Sequence, residues 1–157
     1  MTGLNRRVFL KGALASSVVA VAAGAGLLRP TRVLAAEWPK DAFAAKSVAD
    51  VLKSLYGGGQ AATSAEVKIK APIQAENGAV VPITVSTNLP NVQAIGILVE
   101  KNATPLVANT ELSGAGGYFS ARMKMAESSN VQVVVKADGK LYTAKQMVKV
   151  TVGGCGG

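Results

Sequence analysis

The sequence predicts an all-β fold, an immunoglobulin-like antiparallel β-sandwich of about seven strands with a short N-terminal helix. Three observations lead to this prediction. Apolar residues, mostly Val and Ile, alternate with polar ones in short runs through residues 65–152. Turn signals such as Asn77-Gly78 and Asp138-Gly139 separate these runs. Residues 47–56 have helical periodicity instead.

The short helix is predicted over residues 47–56. One face of it is apolar, at the three- and four-residue spacing of a helix: Val48, Val51, Leu52, Leu55 and Tyr56. Ser47 is a favourable N-cap, with Asp50 three residues later as its capping-box partner. The helix is predicted to stop at residues 57–59, three glycines that accept a left-handed cap. Because so short a helix is unstable alone in water, we expect it to pack on the strands.

The strands are predicted from alternation. The apolar positions expected on one face of each strand are Val67, Ile69, Ala71, Val81, Ile83, Val85, Ile95, Ile97, Val99, Phe119, Ala121, Met123, Met125, Val131, Val133, Val135, Val148, Val150 and Val152. A weaker strand is predicted from Pro105 to Thr110, and the last strand from Leu141 to Val152. Pro82 lacks an N–H, which indicates that its strand lies at a sheet edge. Met123 and Met125 are interpreted as core residues rather than copper ligands.

The first 36 residues are predicted to be an export signal. Arg6 and Arg7 precede an apolar run over residues 12–28, and small residues follow at Ala35-Ala36. The arginine pair resembles the twin-arginine motif, whose pathway exports folded proteins. The apolar run, roughly 17 residues rich in Ala and Gly, is short and weakly apolar for a membrane span, so no stable membrane insertion is expected. The mature chain is expected to begin near residue 37 and to lie in the periplasm.

Composition excludes several classes of function. The chain has 17 basic and nine acidic residues. The first 36 residues contain five of the basic ones and none of the acids, so the remainder has 12 against nine and a net charge of +3. That part shows no basic stripe with stacking aromatics, so nucleic-acid binding is not expected. One Cys and no His leave no ligand set for zinc, haem or iron–sulfur clusters, so no metal or cofactor is expected. The acids are too scattered for acid–base catalysis.

Four basic residues of the strands have two open interpretations. They are Lys68, Lys70, Arg122 and Lys124, all at polar positions of the alternation. The simpler interpretation is a solvated strand face. The other is that they guide anionic sulfur species or acidic partners.

The residue with the most chemical character is Cys155, which lies between Gly153-Gly154 and Gly156-Gly157. These glycines remove neighbouring side chains and make residues 153–157 a predicted flexible arm beyond the domain of residues 37–152. Five such residues span about 12 Å, and at most about 17 Å when stretched. An ordinary thiol has a pKa near about 8.5 and is mostly protonated at neutral pH. Cys155 is therefore suited to be modified by other proteins rather than to act as an unaided nucleophile, and the chain is predicted to be a non-enzymatic carrier.

Three alternatives remain open at this point. Cys155 could be incidental to a disordered end, although a lone thiol is a liability in an oxidising compartment. It could form an intermolecular disulfide in an exported structural homodimer. The terminal Gly156-Gly157 is also similar to that of carriers that use a C-terminal thiocarboxylate, but their activation by ATP does not fit export.

The chain resembles the SoxY family, the sulfur-carrier subunits of the bacterial thiosulfate-oxidising Sox multienzyme system. The resemblance rests on residues 148–157, which read VKVTVGGCGG, on the Arg6-Arg7 leader and on residues 45–47 before the helix. It implies that Cys155 is the sulfur attachment site and that Gly153, Gly154, Gly156 and Gly157 form the arm.

The resemblance also implies partners. A haem enzyme joins thiosulfate to the thiol oxidatively, a hydrolase releases sulfate, and a sulfane dehydrogenase, where present, oxidises the remaining sulfur. A second immunoglobulin-like subunit, SoxZ, is expected to form a heterodimer with the chain. The strand edge bearing Pro82 or the Val-rich faces are the two candidate interfaces.

Overall fold

Two helices and nine strands form residues 38–151, the part of the chain that the computed structural model describes. They are α1 (Lys40–Ala44), α2 (Val48–Tyr56), β1 (Ala62–Thr63), β2 (Val67–Lys70), β3 (Gln74–Ala75), β4 (Val81–Thr87), β5 (Val92–Val99), β6 (Leu106–Glu111), β7 (Tyr118–Met123), β8 (Ser129–Ala137) and β9 (Lys140–Val150). The predicted export signal and the predicted arm lie outside the described residues.

The predicted helix is confirmed as α2, with local capping at both ends. The backbone N–H of Asp50 donates to Ser47 Oγ over 3.1 Å, and that hydroxyl donates to Asp50 Oδ2 over 2.6 Å. Asp50 thus pairs with the Ser47 hydroxyl, a variation on the expected capping box. Gly57 ends the helix in the left-handed region, at a φ of 76°, where a side chain is disfavoured. Helix α1 was not predicted; Trp38 stacks on its Phe43 with ring centroids 4.5 Å apart.

The strands form two sheets. The larger sheet has the order β1-β9-β8-β5-β6, with β3 also pairing with β9, and the smaller has the order β2-β4-β7. All pairs are antiparallel except β1 and β3, which run parallel to β9. The seven strands of four or more residues agree with the predicted strands, and the immunoglobulin-like antiparallel sandwich is confirmed. Strands β1 and β3 were missed because two residues are too few to show alternation.

The prediction that Pro82 marks an edge strand is wrong. Its strand, β4, lies between β2 and β7 in the smaller sheet. Pro82 is tolerated because β2 pairs only with residues 84–87 of β4, whereas Pro82 pairs with Arg122 of β7. Pro82 therefore lies beyond the end of β2, where its missing N–H breaks no ladder. Because β4 is paired on both sides over residues 84–86, it does not offer a complete strand edge, which was one candidate interface for a second subunit.

The core lies between the two sheets. Its buried residues include Val81, Ile83, Val85, Ile95, Ile97, Val99, Met123, Met125, Val131, Val133, Val135 and Val148. Met123 and Met125, at 2% and 3% exposure, are core residues as predicted. The Val-rich faces are thus buried between the two sheets. They were the second candidate interface for a partner subunit, and they are not exposed.

The helices cover the outer face of the larger sheet. Val51 of α2 packs with Leu98, Leu106 and Val134, which makes β8 buried on both faces. Gly96 of β5 lies under Tyr56. A Cβ at this position would be 2.9 Å from the Tyr56 hydroxyl, so glycine allows the close approach of the tyrosine. Within residues 38–151, none of the helices has the length and apolarity needed to cross a membrane.

Candidate functional site

The candidate site begins where β9 ends, because the predicted arm continues from this strand. Strand β9 starts at a tight hairpin, with Asp138 and Gly139 at φ values of 49° and 72°. It runs along the whole larger sheet to Val150, and Thr151 is the last described residue. We call residues 148–151 the arm root.

On one side, the arm root is held by β3. The backbone N–H of Lys149 donates to the carbonyl of Ile73 over 2.9 Å, and that of Thr151 donates to the carbonyl of Ala75 over 3.0 Å. The Thr151 hydroxyl donates to the same Ala75 carbonyl over 3.3 Å. The short parallel strand therefore fixes the chain as far as Thr151.

On the other side, a serine side chain replaces the neighbouring strand. Pairing of β8 with β9 ends at Ser129 and Val148. Beyond that point the N–H of Val150 donates to Ser128 Oγ over 2.9 Å, and this hydroxyl donates back to the Val150 carbonyl over 3.4 Å. One hydroxyl thus serves both backbone groups of Val150, which would otherwise lack a partner on this side.

The loop after β3 packs against the arm root. The carbonyl of Gly78 accepts from the N–H of Met125 over 2.7 Å. A Cβ at Gly78 would lie 2.9 Å from Val150 Cγ1 and would collide with the Met125 carbonyl oxygen. The predicted Asn77-Gly78 turn is present, with Asn77 Oδ1 accepting from the N–H of Ala79 over 2.8 Å. Only glycine fits this approach of three chain segments.

The outer face of β9 carries one close ion pair. Lys145 Nζ lies 2.6 Å from Glu100 Oε1, and Asn130 Nδ2 donates to Glu100 Oε2 over 3.0 Å. The hydrogen bond from Lys145, followed by the one from Asn130, lowers the pKa of the Glu100 carboxyl. The pair is part of the large-sheet surface and brings no second reactive group to the arm root.

A cleft of about 390 Å³ lies at the opposite end of β9. Tyr56, Lys140 and Tyr142 are among its lining residues. Burial, with a contribution from Glu111, raises the pKa of Tyr56 to about 12. Within the described part of the chain, no cluster of three His, Cys, Asp or Glu residues could hold a metal ion.

The sequence-predicted site residues fall outside the described range. Cys155, its four glycine neighbours, Arg6 and Arg7 belong to the segments before residue 38 and after residue 151. The structure adds what the sequence did not indicate, namely Ser128 and β3 as the supports of the arm root. Neither had a recognisable sequence pattern, since a single Ser is common in loops and two residues are too few to show the alternation of a strand.

The fold and the position of the tail define this chain as an immunoglobulin-like β-sandwich whose last strand leads directly into a single-cysteine segment. The sequence profile of the family "Sulfur oxidation protein SoxY" matches residues 52–155, so that the match includes Cys155. The chain belongs to the SoxY family. The same conclusion follows from the sulfur carrier protein SoxY from Chlorobium limicola f thiosulfatophilum, which is 40% identical over 72% of this chain and 99% of that chain, with a TM-score of 0.62.

Other similarities are weaker. The superoxide reductase (neelaredoxin) from Ignicoccus hospitalis is 17% identical over 54% of this chain and 80% of its own, with a TM-score of 0.49. A putative superoxide reductase from Thermotoga maritima is 17% identical over 59% and 88%, with a TM-score of 0.46. Nothing about function follows from either. A comparison with curated protein sequences gave no significant match.

Proposed function

We propose that this protein is the covalent carrier of sulfur intermediates in a Sox system, with the thiol of Cys155 as the attachment site. The observation that carries the proposal is the family match, which extends through the last strand to Cys155 itself. The 40% identity to a sulfur carrier protein over nearly that whole chain supports the same role.

The arm root supports a swinging-arm mechanism. Thr151 is hydrogen-bonded to Ala75, so the body of the protein extends at least to this residue. Cys155 is four residues further along, which gives a maximum Cα–Cα span of about 14 Å. Glycines on both sides keep the segment narrow. The thiol can therefore extend only a short distance from the domain surface. Such a short, narrow arm is suited to delivery of the thiol into a cavity of another protein.

The chemistry divides between the carrier and its enzymes. In loading, the thiol and thiosulfate form a new S–S bond, and the haem enzyme takes up the two electrons while one proton is released. Hydrolysis of the cysteine S-thiosulfonate then consumes one water and yields a persulfide and sulfate. Where a sulfane dehydrogenase is present, it takes up six electrons from the outer sulfur while three water molecules supply the oxygen atoms of the resulting sulfonate and six protons are released. A second hydrolysis consumes one water, removes the sulfonate as sulfate and frees the thiol. No step needs a catalytic side chain of the carrier, so it acts without enzymatic activity of its own.

Residues 1–36, with Arg6 and Arg7, act in this proposal as a twin-arginine signal that places the folded carrier in the periplasm. Its heterodimer partner is a SoxZ-like subunit. Among the described residues, β6 and β7 lie at one end of their sheet orders and β1 and β2 at the other, and the outer edges of these strands are candidate surfaces for such a subunit. The edge of β4 and the Val-rich faces are not.

The first experiment is intact-mass spectrometry of the protein from the periplasm of cells oxidising thiosulfate. We expect thiol-reducible adducts with the masses of thiosulfonate, sulfane sulfur or polysulfide, mapped to the C-terminal peptide, and a mature chain beginning near residue 37. The control is Cys155→Ser, which should remain folded and lose every adduct together with thiosulfate oxidation. An unmodified chain, or only a Cys155-linked homodimer, would refute the carrier function.

A further inference from the structure

The outer face of the smaller sheet is strongly basic. Alternation in β2, β4 and β7 turns their apolar residues into the core and their polar residues outward. The exposed basic residues of this face and its continuation are Lys68, Lys70, Arg122 and Lys124, which we call the basic face. No Asp or Glu occurs in any of the three strands.

The register brings these side chains together. Lys70 pairs with Thr84, Thr84 with Ser120, and the next outward row pairs Pro82 with Arg122. Since neighbouring strands are about 4.8 Å apart, Lys70 and Arg122 lie on strands separated by roughly 10 Å. The ion pairs found in residues 38–151 are Lys101–Glu127 and Lys145–Glu100, so none includes the basic face. Glu66, directly before β2, is at the far end of the sheet.

The basic face begins at the same end of the sandwich as the arm root. Lys124 directly precedes Met125, whose N–H donates to the carbonyl of Gly78. The same Gly78 packs against Val150 of the arm root. Lys124 of the basic face is therefore connected to Val150 of the arm root through Met125 and Gly78.

The approach of an enzyme to this end of the sandwich rests on the proposed function, in which enzymes modify Cys155. An enzyme that encloses Cys155 must come within the reach of the arm, about 14 Å from Thr151. Its surface around the active-site entrance then approaches the end of the sandwich where Arg122 and Lys124 are exposed. An acidic rim on the enzyme would be attracted to this face, whereas a basic rim would be repelled.

We propose that the basic face is the docking surface for an acidic protein surface surrounding the active-site entrance of the enzymes that modify Cys155. The attraction acts on encounter and orientation, and the arm then delivers the thiol. Electrostatic steering of this kind raises association rates by about 10-fold to 1,000-fold and weakens as salt is added. The chemical step inside the enzyme does not depend on the basic face.

The test compares two triple variants of equal charge change. The first, Lys70→Glu/Arg122→Glu/Lys124→Glu, reverses the basic face next to the arm root. The control, Lys40→Glu/Lys46→Glu/Lys140→Glu, reverses exposed lysines of the helical side and of the β8–β9 hairpin. The assay is loading of Cys155 by the purified haem enzyme with thiosulfate, followed by mass spectrometry at increasing carrier concentration and at several salt concentrations.

We expect the first variant to lower kcat/KM at low salt by about tenfold or more. The loss should lie in KM, with kcat at saturation unchanged, and the salt dependence should flatten. The control should behave as wild type. Alkylation of Cys155 by iodoacetamide should proceed at the same rate in all three proteins, since the arm itself is unaltered.

Four results would overturn the proposal. Equal kcat/KM for wild type and the first variant would show that the face is not used, and equal losses in both variants would show an effect of net charge alone. Loss of binding to the SoxZ-like subunit in gel filtration would identify the face as the subunit interface. Saturable amide shifts confined to the face when thiosulfate is titrated into Cys155→Ser would identify a small-anion site. A wild-type chain that the haem enzyme does not load would instead refute the proposed function, and the docking proposal with it.

Discussion

The hydroxyl of Ser128 is hydrogen-bonded to both backbone groups of Val150, accepting from its N–H over 2.9 Å and donating to its carbonyl over 3.4 Å. The two residues are 22 positions apart in sequence. Their contact extends the support of β9 past the last β8 pair, up to the point where the predicted arm begins. The described part of the chain thus ends in the hydrogen-bonded arm root. In the proposed mechanism, the residues after the arm root move the thiol.

Ser128→Ala should destabilise the arm root. The variant leaves the N–H of Val150 without a partner, and we expect a loss of about 1–2 kcal/mol in the free energy of unfolding. Hydrogen exchange at the Val150 amide should accelerate more than at core amides of β8. Ser120→Ala is the matched control, because Ser120 is exposed and bonds only weakly to Thr84 over 3.2 Å and to the Ile83 carbonyl over 3.4 Å. Equal exchange at Val150 in both variants would contradict the role assigned to Ser128.

Gly96→Ala should crowd the contact between Tyr56 of helix α2 and the larger sheet. Its Cβ would lie 2.9 Å from the Tyr56 hydroxyl, which donates to Asn109 Oδ1 over 3.2 Å, so this hydroxyl must shift. We expect a loss of about 1–3 kcal/mol, measured by urea denaturation. Gly116→Ala serves as control, since a Cβ there meets no atom within 4 Å. The contact between Tyr56 and Gly96 would be unimportant if the two variants unfolded at the same urea concentration.

Tyr56 should make stability fall at high pH. Its pKa is raised from 10.0 to about 12, chiefly by burial, so the folded state holds the phenolic proton more tightly than the unfolded state. The contribution is complete below pH 10 and is lost as the pH rises through the folded pKa, with a slope of at most about 1.4 kcal/mol per pH unit. The measurement is urea denaturation from pH 9 to 12 for wild type and Tyr56→Phe. The wild-type curve should fall more steeply, because the other ionisable groups are common to both proteins; parallel curves would refute the prediction.

The arm should tolerate little added bulk. Gly154→Val/Gly156→Val stiffens and thickens the segment that carries Cys155, so sulfur loading and release should slow in the reconstituted pathway. Gly154→Ala/Gly156→Ala should give an intermediate rate. Since both sites lie beyond the hydrogen bonds of Thr151, unfolding free energies should stay within about 0.5 kcal/mol of wild type. Unchanged turnover in the Val variant would argue against a narrow cavity.

Features set by neighbours in sequence were predictable. Helix α2 is capped by Ser47 and ends before Gly57 as expected, because both caps act within a few residues. The long strands follow the alternation of apolar residues, since one face of each must be buried. Met123 and Met125 were correctly assigned to the core for the same reason.

Features set by distant contacts were not predictable. Pro82 indicated an edge, yet its strand is central, because the length of β2 decides where pairing stops. Strand β3 has no pattern of its own and exists only by pairing with β9, as in the bond between Thr151 and Ala75, 76 positions apart. The role of Ser128 likewise depends on where β8 ends.

By itself, the sequence determined which group is proposed to carry the sulfur, since the presence of one cysteine among glycines is a covalent fact that folding does not alter. It also determined the sandwich, because burial imposes a local period. The tertiary structure decided where the arm is anchored and that Lys124 and Val150 share one end of the sandwich. Those relationships depend on register and sheet order, which arise from contacts between residues far apart in the chain and therefore leave no local pattern to read.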